Sequence, residues 1–156
     1  MPNGLERGPA DVWHDGVEMK AIPPMKAVMT PFPYWVDIEA PVARARAIMR
    51  EHAIRHLPVM EGGNLVSVLG ERELQIATEG SDADLRVRDV CEPGPYVVEL
   101  FEPLDRVLSH MAEHRLDSVL VTKDGKLAGI FTVSDACRHF GKLLRSLFPP
   151  GGDSAA

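Results

Sequence analysis

Cysteine is scarce: only Cys91 and Cys137 occur in 156 residues, in different contexts and with no metal-ligand spacing around them. Neither a disulfide framework nor a zinc site is expected, and both thiols read as reduced and structural. Positive charge is also short. The chain has 17 Lys and Arg against 23 Asp and Glu, a formal net charge of −6. Nucleic acid is therefore not an expected partner, because displacing its counterions needs a cationic footprint; a small anion in a local basic pocket stays compatible. Long apolar runs are missing as well. Stretches such as Leu65 to Leu69 and Val119 to Val121 fall far below the roughly 18 residues of a membrane span. The N-terminus lacks the basic-then-apolar layout of a signal peptide, so no membrane is expected and the cytoplasm is the expected compartment. No Ser-His-Asp set, P-loop or paired-carboxylate pattern appears, and the chain is not expected to be an enzyme.

What the chain does contain is itself, twice. Moving Val28 to Gln75 onward by 62 positions lays it over Val90 to Cys137 without a gap. Pro31, Pro33 and Tyr34 fall on Pro93, Pro95 and Tyr96; Met49, Glu51 and His52 fall on Met111, Glu113 and His114; Gly63 and Leu65 fall on Gly125 and Leu127. The offset is longer than the roughly 20–50-residue period of solenoids and there are only two copies. Two repeats packed face to face about a pseudo-two-fold axis are the economical architecture. A hydrophobic content of 45% is enough for one core or two half-cores sharing an interface.

The same signals recur in each copy. Tyr34 to Ile38 and Tyr96 to Leu100 are β-branched and aromatic runs that predict strands. Pro41 and Pro103 then suit a first helical turn. Val42, Ala45, Met49 and Ala53, like Leu104, Val107, Leu108 and Met111, repeat with the period of one buried helix face. Leu57 to Met60 with Leu65 to Leu69, and Ser118 to Thr122 with Leu127 to Phe131, flank Gly-containing turns and predict hairpins. Second helices follow from about Glu71 and Val133, and Met25 to Met29 and Val87 to Cys91 predict a helical turn each. The expected fold class is α+β, two β-α-β-β-α repeats packed with pseudo-two-fold symmetry. The expected division is an N-terminal extension at 1–23, repeats at 24–77 and 86–146, a polar linker at 78–85 and a disordered tail at 147–156. Val12 and Trp13 are candidates to dock on the module.

The sharpest local motif is Gly129-Ile130-Phe131-Thr132-Val133-Ser134-Asp135, where the last strand meets the last helix. Thr132 and Asp135, at i and i+3, form a capping-box pattern. A helix start also offers free N–H groups to a phosphate, and a short carboxylate can accept both hydroxyls of a ribose. The two uses are compatible.

Together with Val28-Met29-Thr30-Pro31 and Ile54-Arg55-His56-Leu57-Pro58-Val59, that motif makes the segment from Met25 to Leu144 resemble the CBS-domain family, named after cystathionine beta-synthase, in its tandem form, the Bateman module. The resemblance implies a regulatory module whose clefts bind AMP, ADP, ATP, S-adenosylmethionine or another adenosine derivative, less often NAD or cyclic dinucleotides. It further implies that Thr132 and Asp135 hold the ribose, and that one site joins Ile130, Thr132 and Asp135 with Thr30, Tyr34, Ile54, Arg55 and His56. The second cleft would join Ser67 to Glu73 with Tyr96, Leu116, Asp117 and Ser118. There Gly70 stands for the hydroxyl residue, Glu73 for the aspartate and Asp117 for Arg55, so like-charge repulsion of a phosphate is expected, with Arg72 as partial compensation. The cleft centred on Asp135 is expected to be the better one. Gly70 is a candidate for a left-handed backbone.

His52 and His56, like His110 and His114, are four apart, a spacing that permits two metal ligands; with no third ligand evident, no metal is expected. The expected function is nucleotide sensing, with ligand state passed to an unidentified regulated protein in trans and with a homodimer as the expected assembly. A ligand-free dimerisation scaffold is the alternative, and an accessory nucleotide-acting enzyme a weaker third.

Overall fold

The computed structural model describes residues 21–77 and 85–151. The extension up to residue 20, with Val12 and Trp13, the linker at 78–84 and the tail beyond residue 151 lie outside them. The first repeat contains α1 (Met25–Val28), β1 (Thr30–Pro31), β2 (Val36–Asp37), α2 (Val42–His52), β3 (His56–Glu61), β4 (Asn64–Gly70) and α3 (Glu71–Ala77). The second contains α4 (Val87–Val90), β5 (Val97–Glu99), α5 (Leu104–His114), β6 (Ser118–Lys123), β7 (Lys126–Thr132) and α6 (Val133–Leu147). The α+β unit β-α-β-β-α is present twice, as β2-α2-β3-β4-α3 and as β5-α5-β6-β7-α6. No described helix is long and apolar enough to cross a membrane.

Each repeat builds a sheet in which the first strand runs parallel to the second and the second pairs antiparallel with the third, giving β2-β3-β4 and β5-β6-β7. The sequence pattern does not predict β1. It pairs antiparallel with β7 of the opposite repeat, Thr30 facing Ile130 and Pro31 facing Gly129. The pseudo-equivalent crossing is a single bridge, Ser67 to Pro93.

The short helices cross over too. Met25 and Lys26 donate their N–H groups to Glu102 O and Leu100 O, and Val87 and Arg88 donate to Ala40 O and Ile38 O. Met25 and Val28 accordingly lie in the core of the second repeat, with Val107, Met111 and Phe131. Val87 lies in the core of the first, with Val42, Leu57 and Leu69. Each such side chain contributes about 1.5–3 kcal/mol of burial to the opposite unit. The exchange therefore ties the two cores together more firmly than the surface ion pairs between Arg88 and Glu39 and Glu61, which solvent screens.

Pro41 and Pro103 are the N-caps of α2 and α5, with φ of −61° and −65°. The next N–H groups, orphans at any helix start, donate to Leu85 O from Val42 and to Pro23 O from Leu104. Both helices end on a left-handed residue, Ala53 and Arg115, after which Ile54 and Leu116 donate back to Met49 O and Met111 O. That hydrogen bond, from the residue after the left-handed cap, closes the helix end and turns the chain into the residues that open β3 and β6. Two expectations for the buried faces are corrected here. Ala53 is exposed because it is this cap and not part of the helix, Ile48 taking the buried place, and Leu108 is 37% exposed on the outer side of α5.

Candidate functional site

Thr132 ends β7 with an extended backbone and caps α6. Its hydroxyl accepts from Asp135 N–H at 3.3 Å and donates to Asp135 Oδ2 at 2.9 Å, while its own N–H donates to the same Oδ2 at 2.9 Å. Asp135 Oδ1 accepts from Arg138 Nη1 at 2.7 Å, and the carboxylate is 14% exposed. Thr30 and Ile130 are brought together by the β1–β7 pairing. Glycine at 129 eases this close approach, since a Cβ there would stand 3.0 Å from Thr30 O and force the Met29 side chain to move.

A cavity of about 700 Å³ lies between the repeats. Its walls carry Gly70, Glu73, Tyr96, Leu116, Asp117 and Ser118, the expected second cleft, and also Arg55, His56 and Thr132 from the expected first. Thr30, Tyr34, Ile54, Ile130 and Asp135 stand off its wall. Tyr34 lies flat on His52, with ring centroids 3.7 Å apart. Arg55, its side chain 76% exposed, faces Glu71 at 3.7 Å, while its carbonyl accepts from Glu71 N–H at the start of α3. Val133 N–H donates in the same way to Asp117 O at the start of α6.

Gly70 donates its N–H to Glu73 Oε2 at 2.8 Å, so Glu73 caps α3 as Asp135 caps α6, with a longer arm and no hydroxyl. The expectation of a left-handed Gly70 is corrected: it is not among the residues of positive φ. Sequence reasoning missed Arg115 and Glu92 on the cavity wall. Arg115 immediately precedes Leu116, Asp117 and Ser118, which was the one signal for it. With Arg72 included, the wall carries three arginines and four carboxylates, so Asp117 does not act on a ligand alone.

His56 stands where these charges meet. Burial lowers its pKa from the ordinary 6.5 by disfavouring the imidazolium, Asp117 and Glu73 pull it upward, Arg55 pushes it down and Asp135 adds a smaller upward pull. The remaining histidines of the i, i+4 pairs are engaged with rings, His110 between Tyr96 and His114. Among the described residues no group of three or more His, Cys, Asp or Glu is placed to hold a metal ion.

This is the geometry of two paired repeats with a cavity between them, and comparison with known proteins gives the family. The CBS domain model matches residues 25–78 and 87–142; the chain belongs to the CBS-domain family. Inosine-5'-monophosphate dehydrogenase of Korarchaeum cryptofilum is 33% identical over 101 residues, 64% of this chain and 21% of that protein. The chain spans about a fifth of the length of the curated dehydrogenases it matches. Among solved structures, the CBS domain pair of protein MJ0100 in complex with 5'-methylthioadenosine and S-adenosyl-L-methionine matches with a TM-score of 0.72 at 24% identity, covering 78% of this chain and 98% of that one. CBSX2 in complex with AMP matches with a TM-score of 0.66 at 24% identity, again over 78% and 98%. The fold is that of a CBS-domain pair.

Proposed function

We propose that this CBS pair binds an adenosine derivative between its repeats and passes its ligand state to a partner protein in trans. The observation that carries the reading is the inter-repeat cavity of about 700 Å³, on whose wall Arg55 and His56 of one repeat meet Thr132 of the other. Its volume falls in the range of small-molecule sites, and the adenosine derivatives held by the MJ0100 and CBSX2 pairs support the ligand class. In this reading Thr132 and Asp135 take the ribose hydroxyls, Thr30, Tyr34, Ile54 and Ile130 border the base, and Arg55 and His56 face the phosphate or its substitute. The Arg138–Asp135 pair is no obstacle: Arg138 is largely exposed, and such a pair is worth about 0–1 kcal/mol, less than a charge-assisted hydrogen bond from a ribose hydroxyl.

A ligand moves a regulatory equilibrium only as far as it prefers one shape over the other. A homodimer gives such an equilibrium a surface to act on. No residue of α6 is buried, and Phe140, Leu144 and Leu147 face outward from it, beside an apolar groove lined by Leu108 and Phe140.

The completeness of the capping box favours a second reading, a ligand-free scaffold in which Thr132 and Asp135 serve α6 alone. Calorimetric titration of ligand-stripped protein separates the two. AMP, 5'-methylthioadenosine or S-adenosylmethionine should bind saturably, and Asp135→Ala should weaken that binding far more than Glu73→Ala. Absence of saturable binding by any adenosine derivative would leave the scaffold.

A further inference from the structure

On the reading that the Thr132–Asp135 cleft holds an adenosine derivative, we infer that Phe32 is the platform on which the base stacks. Phe32 follows β1, and its N–H donates to Ala128 O at 3.1 Å, the next step after the Thr30–Ile130 and Pro31–Gly129 pairs. Its φ is 49°. A bulky L-residue is rarely found there, because the left-handed backbone crowds its Cβ. Nor does the ring repay this by filling the core, because Phe32 is 93% exposed.

The 62-residue repeat shows what the position borders. The counterpart of Phe32 is Gly94, which has a φ of 81° and lines the inter-repeat cavity together with Gly70, Leu116 and Asp117. Those three are the counterparts of Thr132, Ile54 and Arg55. Phe32 therefore flanks the equivalent space between Thr132 and Arg55, where the other cleft has a residue without a side chain. The turn needs a left-handed residue in both copies; one copy meets the need with glycine and the other with an aromatic ring.

Pro31 and Pro33 restrict the backbone on both sides of Phe32, so a ligand has only the side-chain torsions of the ring left to order. Tyr34 already has one face on His52, whereas nearly all of Phe32 is open to a ligand. An exposed ring gains by covering one face with a purine, whose stacking needs no particular hydrogen-bond pattern. The two clefts then differ on the base side as well as on the ribose side.

Phe32→Gly tests this, since it copies Gly94 and removes the backbone strain; the variant should melt at or above the parent temperature. Titrated calorimetrically into ligand-stripped protein, AMP should bind Phe32→Gly about tenfold more weakly than the parent, at the low end of base stacking on an aromatic ring. Ribose 5-phosphate, which has no base, should bind both proteins within about twofold. Phe32→Trp should keep or tighten AMP binding. Unchanged AMP affinity in Phe32→Gly, or an equal loss for AMP and ribose 5-phosphate, overturns the platform while leaving the cleft in place. A parent protein that binds no adenosine derivative overturns the functional reading and the platform with it.

Discussion

Gly70→Thr and Glu73→Asp, made singly and together, are expected to be strongly coupled in stability. Gly70 N–H now donates to Glu73 Oε2 at 2.8 Å, and a Cβ added at Gly70 would stand 2.7 Å from that same oxygen. Threonine alone therefore displaces the carboxylate and gives up a hydrogen bond to a charged group, about 1.5 kcal/mol, which its own hydroxyl recovers only in part. Aspartate alone pulls the carboxylate back by one methylene, with no hydroxyl to complete the cap, and a loss of about 1 kcal/mol is expected. Together the two changes recreate the set at Thr132 and Asp135, where both reciprocal bonds are present. A side-chain cap of that kind is worth about 1 kcal/mol. Threonine meets no backbone strain at this position, because Gly70 does not have a positive φ. The double variant should thus unfold within about 0.5 kcal/mol of the parent or above it, a coupling energy of about 2 kcal/mol. Urea unfolding followed by circular dichroism measures all four corners of the cycle. Single losses that simply add in the double variant would refute the idea that Glu73 is a lengthened copy of the Asp135 cap.

Adding Asp117→Arg to that pair supplies a phosphate donor in place of a carboxylate, and the triple variant should bind about one more AMP per chain than the parent. Unchanged calorimetric stoichiometry in a folded triple variant would mean the clefts differ for another reason. Arg55→Glu should weaken AMP by tenfold or more while leaving adenosine within about twofold, the difference being one charge-assisted contact; parallel losses would take Arg55 away from the phosphate. Burial keeps His56 below the ordinary value of 6.5, so the unfolded chain takes up a proton that the folded chain declines. The stability tied to the neutral imidazole is fully present above about pH 6.5 and is lost as pH falls from there toward the folded pKa. His56→Gln should flatten that part of the urea-midpoint profile, and an unaltered profile would remove His56 as its source.

Hairpins, second helices and the Thr132–Asp135 cap were legible because each rests on residues close together in sequence. Alternation marks a strand, and an i, i+3 pair marks a helix start. The exchange of β1, α1 and α4 between repeats was not legible. Segments of 2 to 4 residues carry no period, and their partners lie across the molecule. Ala53 shows the same limit from another side, since apolar spacing continues past the left-handed residue that ends α2. Within the candidate site, Arg55 and His56 could be named from their place before the hairpin. That they share a cavity wall with Gly70 and Glu73 depends on how the two repeats meet. Arg115 escaped notice because its counterpart is Ala53, so the repeat gave no sign of charge there.

If an adenosine derivative sits between the repeats against Thr132 and Asp135, a crystal structure of the protein grown with saturating AMP will show it there. The ribose hydroxyls should lie within hydrogen-bonding distance of Asp135 Oδ1 and Thr132, with the phosphate toward Arg55. AMP bound instead in the apolar groove between α5 and α6, or a cleft left empty at saturating ligand with the Arg138–Asp135 pair intact, would contradict the account.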